Sequence, residues 1–390
     1  MEPARLMGSG ALRLSAWYFA YFAFLGAFGP YFALYLHELG VAAFGIAATL
    51  ALMQLMRVLL PVLWAPLRHF RGGRKAAVVR AAFVVALVAW GGVAISGNFA
   101  GLFLSVALLA LALGVALPLA EALTLDFLAP RAERYGHIRL WGSLGYIVSV
   151  QAVGFALQAT STSALPAICL GLLVAGFAVS VTLPESAQRL SGTGASDWRG
   201  LFRHPGVAAV MAAGFFMSFA HAPYYAFYSL HLIDHGYGKS AIGALWGLGV
   251  FVEVGVFVVM PRLLSVARAD LLLAISLGTA VVRFLLIGWW IDSLPLAILA
   301  QTFHAATFGL HHAASMAALN RWVPPAEHAP ALAAFGSLGF GAGSLGGAFV
   351  CGALWDRFGA GPVYSVAACA AAVGLGVLVR GGVLRRKVEL

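Results

Sequence analysis

Long apolar runs broken by short polar joints dominate the chain. A helix needs about 20 apolar residues to cross a bilayer. Twelve runs meet that length: 14–36, 41–66, 76–96, 99–127, 137–159, 163–183, 206–232, 240–262, 270–290, 294–319, 330–354 and 360–380. The first is too long for a signal-peptide core and no small-residue cleavage site follows it, so it is expected to remain as the first span. The longest polar joint, 184–205, carries Ser-Gly-Thr-Gly and mixed charges. It reads as a flexible cytoplasmic linker between an N-terminal bundle, 1–183, and a C-terminal bundle, 206–390, of six spans each.

Composition narrows the class. Of the 390 residues 62% are hydrophobic and 10% charged, with mean hydropathy +0.92; soluble domains run at about 25% charged and 45–50% apolar. The reading is an all-α membrane protein of twelve transmembrane helices in two pseudo-symmetric bundles. The net charge of +10 changes meaning once its placement is seen. With the N-terminus cytoplasmic, 20 of the 24 Lys and Arg fall in cytoplasmic segments. Lys239 and Arg357 fall outside, and Arg57 and Arg283 lie within spans. That asymmetry is the positive-inside signal. It predicts an inner-membrane protein with both termini cytoplasmic and no nucleic-acid partner. Cys169, Cys351 and Cys369 lack paired spacing and read as small core residues.

The halves echo each other. Pro30-Tyr31-Phe32-Ala33-Leu34-Tyr35 in the first span parallels Pro223-Tyr224-Tyr225-Ala226-Phe227-Tyr228 in the seventh, each followed by a turn with a glycine, Gly40 or Gly236. Counting on from those glycines sets Arg57 against Glu253. Internal duplication is a transporter signature.

Charges at bilayer depth cost about 2.5–3.5 kcal/mol each on insertion scales, which makes them functional candidates. Glu121 and Arg139 flank a short polar hairpin, 129–137, and with Glu253 are expected to form one polar cluster, against the bland alternative of a structural ion pair. Asp126 is close to a loop, where solvation and a gating or relay role are both open, Arg57 reads as a packing or gating residue, and Arg283 lies in an apolar run. His304, Thr307, Phe308 and His311 share one helix face, and histidine titrates near physiological pH. His221, Tyr224, Tyr225 and Tyr228 form a second stripe; Trp246 and Glu253 lie seven apart; Tyr31 and Tyr35 add aromatic surface in the first span. An aromatic-lined cavity with one or two cations suits a solute with an apolar body and an anionic end, although for any single tyrosine ordinary packing is the simpler reading. His311 and His312 lack a third ligand at metal spacing. Gly341, Gly343 and Gly346 match a dinucleotide-binding pattern, but mid-span they read as close helix packing.

Several pieces carry a family resemblance: Gly29-Pro30-Tyr31, Arg57 with Pro61, Leu117 to Leu123, Tyr135 to Gly145 with its Arg-Leu-Trp-Gly-Ser core, His221 to Tyr225, Leu245-Trp246-Gly247 with Glu253, and His304 to Gly309. Together they resemble the major facilitator superfamily and, within it, the phenylpropionate permease family, related to lactose permease-type proton symporters. The sequence departs from the pattern twice. The joint 67–75 lacks the family's aspartate, and Thr307 stands where sugar permeases carry a glutamate. The resemblance implies alternating access and proton-coupled symport of a small organic solute such as an aromatic carboxylate. Arg139 is the implied anchor, Glu121, Glu253 and His304 the coupling groups, and Arg283 a relay. A sugar or nucleoside symporter, an exporter of the same fold and a non-transporting receptor are the alternatives. An enzyme is not expected, since no nucleophile–base spacing stands out. No cofactor or metal is expected, and the partners are the solute, protons and the lipid bilayer around a monomer.

Overall fold

The computed structural model describes residues 9–67, 74–129, 131–185, 198–201 and 205–381, apart from the side chains of Arg57, 60–67, Pro205, Ala326 and Ala329. Most of the linker and of the joint 67–75 lies outside the described residues. The described residues contain no strand. The long helices are α1 (Ser9–Glu38), α2 (Ala43–Leu67), α3 (Lys75–Ile95), α4 (Phe99–Leu128), α5 (Tyr135–Ala159), α6 (Leu165–Val181), α7 (Pro205–Asp234), α8 (Lys239–Val266) and α9 (Ala269–Trp289). Next, α10 runs through Leu294–Thr302, a π-helical stretch Ala305–Leu310 and His311–Trp322. In the same way α11 runs through His328–Ala334, a π-helical stretch Phe335–Ala342 and Gly343–Phe358, before α12 (Ala360–Arg380).

Ten helices among the described residues are long and apolar enough to cross a membrane. The other two of the twelve expected spans are α2, whose apolar stretch is Ala43–Met56, and α10, which a turn at Phe303 interrupts. Val88, Leu104, Phe251 and Val258 are exposed on the outer helix faces, as lipid contact favours. Cys169 and Cys351 are buried as expected, whereas Cys369 is exposed because it falls on the outward face of α12.

The repeat is visible in the packing. In the first half α1 packs on α5 and α6, and α3 on α4 and α6; in the second α7 packs on α11 and α12, and α9 on α10 and α12. Helices α1 and α7 end alike. Gly40 and Gly236 adopt φ of +77° and +80°, the left-handed region where a side chain is strained. Val41 N–H donates to the Leu36 carbonyl at 3.1 Å and Tyr237 N–H to that of Leu232 at 3.0 Å, closing each helix in the same C-cap. Gly145 in α5 lies against the Phe19 backbone, and Gly343 in α11 against that of Phe215. The glycine pattern around Gly341 therefore marks a helix crossing, not a nucleotide loop.

Two compact units emerge. One gathers α1, α3 to α6 and the start of α8, Gly238–Gly247; the other gathers α7, α9 to α12, the rest of α8 and the first part of α2, Ala42–Pro61. Helix capping follows the exchange. In the first unit Gln158 of α5 accepts from Lys239 N–H at 2.7 Å. In the second, Asp356 of α11 accepts from Ala43 N–H at 3.1 Å. A carboxylate at a helix N-terminus satisfies an orphan donor and the helix dipole together.

Each unit also holds one ion pair at equivalent helix ends, with the charges inverted. Lys75 of α3 pairs with Asp126 of α4, and Asp270 of α9 lies 3.8 Å from Arg321 of α10 and 2.8 Å from Arg268. Asp126 is thus paired and only 16% exposed, not solvated as its nearness to a loop suggests, because α3 brings Lys75 onto it. Removing one partner of a buried pair costs about 3–5 kcal/mol. Lys75→Ala is expected to destabilise the fold by about the low end of that range, read as a lower melting temperature, and Lys75→Leu with Asp126→Leu to recover most of it. Equal melting of Lys75→Ala and wild type would show the pair to be idle.

Candidate functional site

The second unit encloses a polar centre built on Arg283 of α9, which is fully buried. Its Nε donates to the Ala300 carbonyl at 3.0 Å. Nη1 donates to Thr307 Oγ1 at 3.1 Å and lies 3.1 Å from His221 Nε2. The guanidinium carbon stands 4.3 Å from the centre of the Tyr224 ring, a cation–π contact. Nη2 is buried with no hydrogen-bond partner, and no described carboxylate lies within ion-pair distance of Arg283. A buried cation among neutral groups is costly unless an anion reaches it.

Around it the aromatic stripes converge. His221 Nδ1 lies 2.9 Å from the Met217 carbonyl, so its ring orientation is fixed by its own helix. Tyr224 donates to Gln301 Oε1 at 3.0 Å, and its ring lies 4.9 Å from that of Tyr228. His304 Nε2 is 3.6 Å from Glu253 Oε2, with both side chains largely buried. Gly309 and Gly249 permit this approach: a Cβ on Gly309 would lie 3.0 Å from Glu253, and one on Gly249 3.3 Å from His304. Thr307 and Phe308 lie in the π stretch of α10 and Phe340 in that of α11. Such bulges re-aim side chains and recur at functional sites. Here all three, with His221, line a cavity of about 150 Å³.

The first unit holds the other expected group. Arg139 of α5 lies 4.0 Å over the Phe22 ring and 5.6 Å from that of Tyr18. No described carboxylate stands within ion-pair distance of it. Tyr135 lies near enough to Glu121, Arg139 and Tyr18 to interact with all three, and so stands between Arg139 and Glu121. Tyr18 also bonds Thr124 at 3.2 Å. Tyr31 donates to the carbonyls of Val150 at 2.8 Å and Lys239 at 3.2 Å, so its hydroxyl ties α1 to α5 and α8. Tyr35 stacks on Phe32 at 5.9 Å, and Trp246 is buried. The Arg57 side chain lies outside the described residues.

Sequence reasoning passed over Gln54 in α2, Ser218 in α7 and Gln301 in α10. Two of these are amides inside apolar runs, and that signal alone could have marked them.

Comparison with known proteins places the chain. The MFS_1 like family matches residues 11–366. A probable 3-phenylpropionic acid transporter of Escherichia coli (strain K12) is 30% identical over 313 residues, covering 78% of this chain and 80% of that protein. Maltose permease of Geobacillus stearothermophilus is 24% identical over 367 residues, 93% and 92% of the two chains. Among solved structures the nucleoside transporter NupG superposes with a TM-score of 0.85 at 17% identity over 97% of this chain and 100% of that one. The human organic anion transporter MFSD10 does so at 0.62 and 13%, with the same coverage. The repeated six-helix packing, the polar groups buried within each unit and these likenesses agree: the chain belongs to the MFS_1 like family of major facilitator superfamily transporters.

Proposed function

We propose that this protein imports a small organic anion with an aromatic body, a 3-phenylpropionate in type, together with a proton. It works by alternating access as a monomer in the cytoplasmic membrane, with two six-helix halves, 1–183 and 206–390, and both termini cytoplasmic. The observation that carries the reading is Arg283, a fully buried guanidinium with neutral neighbours and an unbonded Nη2. A carboxylate 4 Å away gains about 4 kcal/mol at an effective dielectric of 20, enough to offset the roughly 2.5–3.5 kcal/mol cost of placing the arginine in the membrane. A neutral nucleoside or sugar leaves that cost unanswered.

Glu253 and His304, 3.6 Å apart, are the pair that takes up the proton. His304 stands between the acid and the Arg283 cluster, so arrival of an anion at Arg283 changes the field at the proton site. Arg139 keeps the role of meeting an anionic or hydroxyl group, with Tyr18 and Tyr135 as its polar neighbours and Glu121 reached through Tyr135. Support for the aromatic acid comes from the 30% identical relative and from the rings of Tyr224, Phe308 and Phe340 around the cluster.

The test is uptake by the purified protein in de-energised vesicles. Adding 3-phenylpropionate is expected to alkalinise the outside medium faster than in protein-free vesicles, where neutral acid leaks across. Uptake that is independent of pH and requires sodium would overturn the proton, and saturable uptake of nucleosides or sugars instead of the acid would overturn the anion.

A further inference from the structure

The cavity of about 150 Å³ in the second unit is lined by Gln54, Ser218, Tyr225 and Ser344, which lie outside the network around Arg283, as well as by His221 and Thr307. Gln54 Oε1, from α2, and Ser218 Oγ, from α7, both belong to residues lining it, and both atoms are buried without a hydrogen-bond partner. Ser218 is 2% exposed. The remaining wall combines apolar Met217, Phe308 and Phe340 with His221, Tyr225, Thr307 and Ser344. Glycine at position 341 keeps α2 close, since a Cβ there would lie 2.5 Å from Val58 Cγ2. Buried polar atoms are paired in the great majority of cases, and each exception calls for an explanation.

We propose that this cavity is the seat of the substrate's ring and that it selects rings bearing a hydroxyl group. The inference rests on the aromatic-acid reading above and narrows it to phenolic acids. Size and chemistry both point there. A cavity of this volume holds about one benzene-sized ring. The amide oxygen of Gln54 can only accept, and the serine hydroxyl can donate. One phenolic hydroxyl answers both, donating to Gln54 Oε1 and accepting from Ser218 Oγ. A bare ring leaves both atoms unpaired, and a methyl ether has no proton for Gln54. Meanwhile His221 and Thr307, on the same wall, lead to Arg283, so the acid end and the hydroxyl end of one molecule have separate partners.

Calorimetric titration of the purified full-length protein in lipid nanodiscs tests this with three probes: 3-phenylpropionate, its 4-hydroxyphenyl analogue and its 4-methoxyphenyl analogue. The hydroxylated acid is expected to bind about tenfold tighter than the other two, the discrimination expected of one or two net hydrogen bonds. In Gln54→Leu with Ser218→Ala, checked for an unchanged elution profile, the ratio is expected to fall to near one. Equal binding of all three by the wild type overturns the hydroxyl subsite and leaves the aromatic-acid reading standing. So does a preference that survives in the double variant, or water alone meeting the two atoms in a ligand-bound structure. Binding of none of the three overturns the aromatic-acid reading and this inference with it.

Discussion

Arg283→Met is expected to lose at least about a hundredfold in uptake and yet to melt no lower than the parent protein. The two halves of that result have different causes. Uptake falls because the buried cation is the anchor for the carboxylate. An interaction of about 4 kcal/mol at 4 Å and an effective dielectric of 20 corresponds to nearly three powers of ten in affinity. Stability holds because the guanidinium has no described carboxylate to leave stranded. Replacing a buried charge by a packed apolar side chain of similar length is then neutral or stabilising. The groups it releases retain other bonds: His221 holds the Met217 carbonyl, and Thr307 lies within reach of the His304 carbonyl at 3.3 Å. The Ala300 carbonyl loses its side-chain donor, and the Tyr224 ring loses its cation–π contact. A melting temperature well below that of the wild type assigns Arg283 to the scaffold, and uptake within a few fold of wild type removes it from the site. Arg283→Lys keeps the charge but not the planar fork, so it should fall between the two.

Glu253→Gln is expected to exchange substrate across the membrane but not to concentrate it. Glutamine resembles the protonated acid in shape and charge, so the binding half of the cycle remains while the proton has no place to leave from. With one proton per anion, one pH unit across the membrane supports about tenfold accumulation. The wild type should approach that ratio within the time before neutral acid leaks through the lipid, and Glu253→Gln should stay near one. Substrate affinity in the variant should also lose part of its pH dependence. Normal accumulation with an unchanged pH profile would reduce Glu253 to a structural partner of His304 and direct the search to Glu121 or His304 itself.

Several features were legible in the chain because they are local or compositional. The spans follow from run length, since backbone groups in lipid must be satisfied within a helix. The glycine turns at Gly40 and Gly236 follow from the backbone conformation that only glycine adopts without strain. Arg283 and Glu253 stood out because a charge within an apolar run is costly. Helical spacing placed His304, Thr307 and Phe308 on one face.

What spacing cannot supply is the helix that a given face meets, and there tertiary structure alone decided. Nearness to a loop left solvation open for Asp126, and α3 brings Lys75 onto it. Tyr31 and Tyr224 occupy matching places in the repeat, yet Tyr31 bonds backbone carbonyls of α5 and α8 while Tyr224 bonds Gln301 of α10. Gln54 belongs to a span of the first half, and the fold sets it in a cavity of the second unit beside Ser218. The π stretches of α10 and α11, which turn Phe308 and Phe340 to that cavity, are registers that no 3.6-residue pattern announces. By itself the sequence determined which groups lie at membrane depth, because desolvation acts on each residue separately. Which of them share a site was settled by packing between helices distant in the chain, because a hydrogen bond or an ion pair requires two groups to lie within about 3–4 Å of each other.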